Sequence, residues 1–229
     1  MKPLVFDVGA HVGDYSKLVK FHKPSSVIHA FEISKENFKK IDKPSIIANN
    51  FGLSVENKAI KYKDYGSDST SPLNTLILKS SFHDENYPPK IKSAKLRNTD
   101  NYLKNHKINY IDLLKIDTEG SEYEILISFN KFLKEKKIGI IQFEYGYINS
   151  YSKHMMHDFY KLFDKYGYII AKLNNDKIKF REFHELDNNF LSGPNYIAVH
   201  NSNKKLIKIL TSWEVFLYYI HFFFNSINI

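Results

Sequence analysis

The chain has 229 residues, of which 43% are hydrophobic and 15% aromatic, and a formal net charge of +8. This composition predicts one globular domain and excludes a disordered chain, and the absence of cysteine excludes disulfides, cysteine-based zinc sites and thiol catalysis. The positive charge comes almost wholly from lysines scattered in short groups, which favours a solvated surface over a nucleic-acid footprint.

The first predicted strand begins at Leu4 and leads to Asp7, and Gly9 and Gly13 follow before a helical pattern starts at Asp14. Glycines let a ligand approach the backbone, and the helix N-terminus adds unpaired N–H groups beside it. The spacing differs from the dinucleotide fingerprint, and an acid at the strand end suits a cofactor with an ammonium or a sulfonium group. S-adenosylmethionine carries both groups. An ordinary tight turn is the alternative.

The second predicted strand, residues 26–31, ends at Glu32. An acid about 20 residues after such a loop is expected to accept hydrogen bonds from ribose hydroxyls. Ser34 is predicted to cap the next helix, and a third strand is predicted over residues 44–48. Phe51 follows it and could cover the adenine of a cofactor, although a core role is as reasonable.

Residues 49–107 interrupt the alternation of strands and helices, apart from an edge-strand candidate over residues 58–62. We expect a functional or mobile loop here. The part from 66 to 92 mixes acids, serines and tyrosine, and we expect it to hold the acceptor substrate.

Regular patterns return with the segment YIDLLKIDTEGSEYEIL, which predicts a buried strand over residues 110–116, then Asp117, Glu119 and a helix from Ser121. A strand over residues 139–143 follows and ends at Glu144. The remaining predicted elements are a helix over residues 153–166 and strands over residues 168–173, 177–183 and 195–199.

Four acids therefore end four predicted strands, namely Asp7, Glu32, Asp117 and Glu144. Strands that alternate with helices predict an α/β fold with a parallel sheet and helices on both faces, and ligands of such sheets bind at the carboxyl ends of the strands. A single acid there is usually a helix cap, but four on four strands predict a functional site.

The segments DVGAHVGDYS, AFEISKENF, LLKIDTEGSEYEIL and IQFEYG, in this order and spacing, resemble the FkbM-type methyltransferases. This is a family of Rossmann-like class I enzymes that use S-adenosylmethionine. The resemblance implies a seven-stranded, mostly parallel sheet with an antiparallel last strand, which residues 195–199 could supply. It also implies O-methylation of hydroxyl groups, commonly on sugars or carbohydrate-bearing natural products. His11 stands where the family usually has asparagine.

The candidate cofactor-binding residues are Asp7, Gly9, His11, Gly13, Glu32 and Phe51. The acceptor hydroxyl needs a base, for which Asp117, Glu119 and Glu144 are the candidates. If Asp117 and Glu144 converge without a cation, repulsion raises the pKa of one of them. Alternatively, Mg²⁺ or Mn²⁺ between these two residues could hold sugar hydroxyls. His154 and His157 could also reach the acceptor, although lone histidines are more often exposed polar residues.

We assign residues 1–202 to the methyltransferase domain and residues 203–229 to an aromatic-rich C-terminal helix or tail. The densest apolar run, 215–224, is too short to span a bilayer. It could pack on the domain, form a dimer contact or anchor the protein at a membrane surface. No signal-peptide pattern precedes the first strand, so we expect a cytoplasmic protein that could be peripheral at a membrane.

The expected partner is a carbohydrate-bearing small molecule or a glycoconjugate, and nucleic acid is not expected. Two alternatives stay open. An RNA 2′-O-methyltransferase would explain the basic charge, but only Asp117 and Lys172 fall at strand ends that suit its lysine-acid-lysine-glutamate set. The second alternative is a catalytically silent protein that has the cofactor-binding fold and binds a partner.

Overall fold

A computed structural model of the chain describes residues 2–64, 76, 89–173, 178–190 and 195–212. The elements in chain order are β1 (Leu4–Val8), α1 (Asp14–His22), β2 (Val27–Phe31), α2 (Lys35–Lys40), β3 (Ile47–Asn49), β4 (Gly52–Ser54), β5 (Lys58–Asp64), β6 (Lys90–Asn98), α3 (Thr99–Asn105), β7 (Ile111–Ile116), α4 (Glu122–Ser128), α5 (Asn130–Lys134), β8 (Ile138–Glu144), α6 (Asn149–Ser152), α7 (Met156–Lys165), β9 (Tyr168–Lys172), β10 (Phe180–Arg181), β11 (Asn195–His200) and α8 (Lys204–Thr211).

The main sheet has the strand order β10-β9-β11-β8-β7-β1-β2-β3. β1 pairs in parallel with β2 and β7, whereas β11 runs antiparallel to both β8 and β9. The predicted α/β fold and its antiparallel last strand are therefore confirmed. The sheet has eight strands rather than seven because the short strand predicted near residue 180 joins the outer edge of β9.

Alternating side chains of β1 face two different apolar clusters. Val5 packs with Val19 of α1, whereas Phe6 packs with Leu126 of α4 and Phe159 of α7. Successive residues of a strand point to opposite faces, so helices cover both faces of the sheet, as predicted. The same pattern explains why β1 is almost wholly apolar, since a strand that is buried on both faces needs no polar side.

The interruption of the strand-helix alternation is not an irregular loop throughout. A second sheet of three strands, in the order β4-β6-β5, occupies much of it. β5 and β6 pair antiparallel from Lys58 opposite Leu96 to Asp64 opposite Lys90. The expectation of irregular structure is wrong here because the lysine-rich strands hide their alternating pattern. Residues 65–75 and 77–88, most of the predicted acceptor loop, lie outside the described residues.

At the C-terminal end, α8 packs Leu210 against Ile197 and Val199 of β11. The aromatic run from residue 213 onward lies outside the described residues, and the division at residue 202 stays a prediction. Within the described ranges, no helix is both long and apolar enough to cross a bilayer.

A buried polar group lies between β2 and α3. The hydroxyl of Tyr102 accepts a hydrogen bond from Asn49 Nδ2 (3.1 Å) and lies 2.7 Å from His29 Nδ1. When His29 is neutral with Nδ1 unprotonated, the hydroxyl donates its proton to that nitrogen. Burial, with a smaller effect of His106, lowers the pKa of His29 to about 4.

The free energy of unfolding should depend on the protonation of His29. Because the folded-state pKa lies below that of an exposed histidine, the stability is fully present above about pH 6.5 and is lost as the pH falls towards 4. We expect wild type to lose about 2 kcal/mol more than His29→Phe between about pH 7 and pH 5, measured by urea unfolding. Parallel pH profiles of the two proteins would contradict this assignment.

Candidate functional site

Four candidate acids lie at or near the carboxyl ends of neighbouring strands. Glu32 follows β2, Asp117 follows β7, and Glu144 is the last residue of β8. Asp7 differs from the prediction, since β1 continues to Val8 and Asp7 lies within the strand. The register explains its surroundings, because Asp7 stands opposite Lys115 of β7.

Lys115 forms a buried ionic group beneath the first loop. Its Nζ lies 3.4 Å from Asp7 Oδ1 and 3.2 Å from Asp117 Oδ2, and it donates a hydrogen bond to the carbonyl of Gly9 (3.2 Å). Burial disfavours the charged ammonium, but Asp117 and Asp7 outweigh this and hold the pKa of Lys115 above its usual value. Asp7 also accepts a hydrogen bond from Ser16 Oγ (2.6 Å).

Sequence reasoning missed Lys115. A lysine inside a strand that is otherwise apolar was the available signal, because a buried ammonium requires a carboxylate partner. Asp7 was proposed to face the cofactor, but it is fully buried and bound to Lys115 and Ser16. In the structure it anchors the loop that follows β1.

Glu32 fastens the same loop from the side of β2. Its Oε2 accepts the N–H of His11 (2.8 Å) and its Oε1 accepts the N–H of Ser34 (2.7 Å). Burial raises the pKa of Glu32 to about 7 against the effect of these two bonds. His11 has a left-handed backbone, with φ at 51°, and burial lowers the pKa of its imidazole. A neutral imidazole there offers one hydrogen-bond donor and one acceptor.

The two predicted loop glycines serve different purposes. A β-carbon on Gly9 would overlap the carbonyl oxygen of Asp117. The turn that follows β7 therefore leaves no room for a side chain at this position. Gly13 has φ at 86°, begins α1 and donates its N–H to the carbonyl of Ala10 (2.7 Å). Glycine adopts this left-handed conformation without steric cost.

The turn after β7 is shaped by a residue that sequence reasoning did not single out. Glu122, which is 1% exposed, accepts hydrogen bonds from the N–H groups of Thr118 (2.8 Å) and Gly120 (3.1 Å). Glu119 lies between them in a left-handed conformation with φ at 54°. Glu122 therefore fixes a tight turn that projects Glu119. A glutamate directly after a capping serine was the signal in the sequence.

The three candidate catalytic acids converge. Carboxylate oxygens of Asp117, Glu119 and Glu144 lie within 4.8 Å of one another. Asp117 and Glu144 share a hydrogen bond, which requires one proton between them. Burial and then the charge of Asp117 raise the pKa of Glu144 to about 11 and that of Glu119 to about 8. Lys115 keeps the pKa of Asp117 below its usual value despite the opposing effect of burial.

These distances would allow the predicted Mg²⁺ or Mn²⁺ at Asp117 and Glu144. However, the ammonium of Lys115 already supplies a positive charge 3.2 Å from Asp117 Oδ2. A protonated Glu144 is also a weaker ligand for a cation than an ionised carboxylate would be. The metal therefore stays a prediction.

A cavity of about 620 Å³ opens beside this cluster. Of the predicted site residues, five line it, namely Gly9, His11, Glu32, Asp117 and Glu119. Asp7, Gly13, Phe51 and Glu144 are not among the lining residues, and Phe51 packs on Phe31 and Tyr102 instead. β4, β5 and β6 contribute an apolar wall through Leu53, Ile60 and Leu96, which the sequence did not reveal.

The two histidines considered as acceptor contacts lie outside the cavity wall. His154 pairs with Glu124, with 3.1 Å between Nε2 and Oε1, and stacks on Tyr123 at 4.1 Å. His157 packs against Phe183. Glu124 does line the cavity, so His154 touches the site only through that carboxylate.

A family model described as the methyltransferase FkbM domain matches residues 7–170. A search of curated proteins finds no match. Among solved structures, a precorrin-6y C5,15-methyltransferase from Geobacter metallireducens GS-15 is 12% identical, with a TM-score of 0.42 over 86% of this chain and 78% of that one. A fibrillarin/Nop5p complex is 14% identical, with a TM-score of 0.43 over 87% and 72% of the chains. The plantazolicin methyltransferase BpumL, solved with SAH, is 10% identical, with a TM-score of 0.45 over 87% and 76%.

The contact between the two loops predicts a sharp difference between two glycine substitutions. Gly9→Ala should lower the free energy of unfolding by about 3 kcal/mol or more, because the methyl group meets the backbone of Asp117 in a left-handed conformation. Gly146→Ala is the matched control, since a β-carbon there meets nothing within 4 Å. It should change stability by less than about 0.5 kcal/mol in the same denaturation assay. Equal stability of the two variants would show that the loops separate more easily than the structure indicates.

Proposed function

Because the chain belongs to the FkbM methyltransferase family, we propose that it transfers the methyl group of S-adenosylmethionine to a hydroxyl oxygen of a carbohydrate or glycoconjugate. The observation that carries this proposal is the cavity itself. The loop residues Gly9 and His11, together with Glu32, line it, and so do the acids Asp117 and Glu119. Cofactor-binding groups and a candidate base thus face the same space.

The cavity fits the cofactor in size and in chemistry. A volume of about 620 Å³ is typical of small-molecule pockets. Each oxygen of Glu32 accepts one backbone N–H and keeps a lone pair for a ribose hydroxyl. The ionised carboxylate of Asp117 complements a positively charged ligand. The cofactor supplies an electrophilic methyl group, and the protein positions the nucleophile and receives its proton.

Glu119 has the properties of the general base. It lines the cavity, and its pKa of about 8 lies close to neutral pH, where a general base is effective. Asp117 is a weaker base because Lys115 lowers its pKa, and Glu144 is protonated at neutral pH. We therefore assign proton removal from the acceptor to Glu119. Asp117 would then accept a hydrogen bond from another hydroxyl of the acceptor molecule and orient that molecule. The proton shared with Glu144 keeps Asp117 in place.

The charges around the cavity favour a neutral polyol as the acceptor. Asp117, Glu119 and Glu124 all line it. Of the two lysines in the lining, Lys115 is neutralised by Asp7 and Asp117, and Lys58 pairs with Glu56. Carboxylates accept hydrogen bonds from hydroxyl groups but repel phosphates. An RNA acceptor would need a continuous basic track instead. A sugar with several free hydroxyls meets these conditions.

An aromatic surface next to the site offers a place for the sugar ring. Tyr147 follows β8 three residues after Glu144 and is 50% exposed. Its ring meets Tyr151 edge-on at 5.6 Å and Phe190 at 6.3 Å, and the two tyrosine hydroxyls lie 2.9 Å apart. Ser152, adjacent to Tyr151, lines the cavity. An amphipathic tyrosine can pack against a sugar face while its hydroxyl binds a sugar hydroxyl.

The proposed function is tested by methyl transfer from labelled cofactor to glycosides, nucleotide sugars, glycolipids and capped RNA. We expect a carbohydrate to be methylated, with little change in rate between about 50 and 200 mM salt. Calorimetry should show binding of S-adenosylmethionine and of its demethylated product. Efficient methylation of RNA but of no carbohydrate would identify RNA as the acceptor and overturn the carbohydrate assignment. The absence of cofactor binding by folded protein would overturn the methyltransferase proposal as a whole.

The role of Glu119 predicts a characteristic pH profile. The kcat/KM of wild type should rise about tenfold per pH unit up to about pH 8 and then level off, because the base must be deprotonated. Glu119→Gln should lose at least about 100-fold in kcat and lose this rise, while its Kd for S-adenosylmethionine changes little. Glu124→Gln is the control, since it removes another cavity carboxylate. A variant Glu119→Gln with wild-type turnover would remove Glu119 from catalysis.

The aromatic surface predicts an effect on acceptor affinity alone. Tyr147→Ala should raise KM for a glycoside about five- to tenfold with little change in cofactor Kd, and Tyr147→Phe should restore much of the loss. Tyr110→Ala is the matched control, because Tyr110 is 44% exposed and precedes β7 at the opposite end of the strand. Equal KM values for the two alanine variants would show that the sugar binds elsewhere.

A further inference from the structure

The fold collects lysines that are scattered in the sequence. In a parallel sheet, each helix runs back and ends where the next strand begins, so helix C-termini gather at one edge. We call this the amino edge, formed by the starts of β2, β1, β7, β8 and β9 and by the end of the antiparallel strand β11. Backbone hydrogen bonds join its segments in a row, namely Val27 to Pro3, Ile111 to Lys137, and Asn201 to Gly167.

The amino edge carries an excess of positive charge, because its lysines outnumber its acids Asp112, Glu135 and Asp164. Six of its exposed lysines form no ion pair with a described residue, namely Lys23, Lys104, Lys107, Lys131, Lys134 and Lys136. The surrounding titratable groups respond to this charge. Lys137, with Lys131 and Lys134, holds the pKa of Glu135 below its usual value. After burial, Lys136 is the next cause of the lowered pKa of His200.

The acids of the cavity do not cancel this charge. They lie at the opposite ends of the same strands, and a strand of five to seven residues is about 17 to 23 Å long. That length is about two Debye lengths or more at physiological salt. The amino edge therefore presents its own positive potential to a partner, and the row of six strands from β2 to β9 extends it over about 24 Å.

An exposed aromatic residue stands within the same edge. Phe21, in the last turn of α1, is 79% exposed, and Lys20 and Lys23 flank it. Neither of the two arginines lies here, since Arg97 belongs to β6 and Arg181 binds Asp187. Exposed aromatic and lysine side chains together are typical of membrane-surface binding, whereas nucleic-acid recognition prefers arginine.

We propose that the amino edge binds anionic lipid membranes, with the lysines attracted to the headgroups and Phe21 inserted at the interface. A lysine close to an anionic membrane contributes enough to change partition about fivefold. The six lysines and one aromatic side chain together are therefore sufficient for reversible binding. The proposal does not depend on the proposed function, because the amino edge and the cavity lie at opposite ends of the strands.

Two left-handed lysines allow a test that does not disturb folding. Lys107 and Lys136 follow the ends of α3 and α5 with φ at 54° and 57°, where glycine is the preferred residue. Changing either to glycine removes a charge without steric cost. Lys153 provides the matched control, because it ends α6 near the cavity with φ at 64° and is exposed.

The measurement is co-sedimentation of the full chain with phosphatidylcholine vesicles, with and without about 30% phosphatidylglycerol. We expect wild type to prefer the anionic vesicles and to lose this preference in high salt. Lys107→Gly and Lys136→Gly should each lower partition about fivefold, and the double variant about thirtyfold, whereas Lys153→Gly should match wild type. Equal losses in all three single variants, or no preference for anionic lipid, would overturn the proposal.

Two further measurements distinguish an anionic membrane from a nucleic acid as the partner of the amino edge. One uses a Phe21 variant and the other uses RNA. Phe21→Ser should weaken binding to anionic vesicles several-fold, because the aromatic insertion is lost. A single-stranded and a duplex RNA should bind more weakly than the vesicles do at equal salt. Stronger RNA binding that is lost in the Lys107→Gly and Lys136→Gly variants would assign the edge to nucleic acid and overturn the membrane proposal.

Discussion

A lysine ammonium inside a protein core is stable only where carboxylates neutralise it and hydrogen-bond acceptors surround it. Lys115 meets this requirement with Asp7 of β1, Asp117 after β7 and the carbonyl of Gly9. The loop after β1, the strand before it and the acid-bearing turn after β7 therefore share one buried cation. This shared cation fixes the relative positions of two adjoining loops that both line the cavity.

The same cation sets the protonation of the acids beside it. Burial raises the pKa of Glu119 and Glu144, and the negative charge that Asp117 keeps beside Lys115 raises both further. Like charges in a confined space cannot all ionise, so protons are held by the groups farther from the ammonium. The differing roles assigned to the three acids thus follow from burial together with the pairing of Asp117 with Lys115.

The positions of Glu32, Asp117 and Glu144 could be predicted, because an acid after an apolar run marks the end of a buried strand. The antiparallel last strand followed from the resemblance to a known family. The pairing of Lys115 with Asp7 could not be predicted, since it depends on the register between strands that are more than 100 residues apart in sequence. The steric requirement for glycine at position 9 could not be predicted either. The backbone of Asp117, which leaves no room for a side chain there, reaches Gly9 only in the folded protein.

The main sheet ends in a very short strand on each side. β10 has two residues and β3 has three, whereas the central β8 has seven. The outermost strands of a sheet carry unpaired backbone groups that can recruit another chain, and short edge strands limit this recruitment. A short strand offers few such groups in register, so edge-to-edge pairing between copies gains little free energy. The sheet is therefore protected against the form of aggregation to which open, apolar sheets are most exposed.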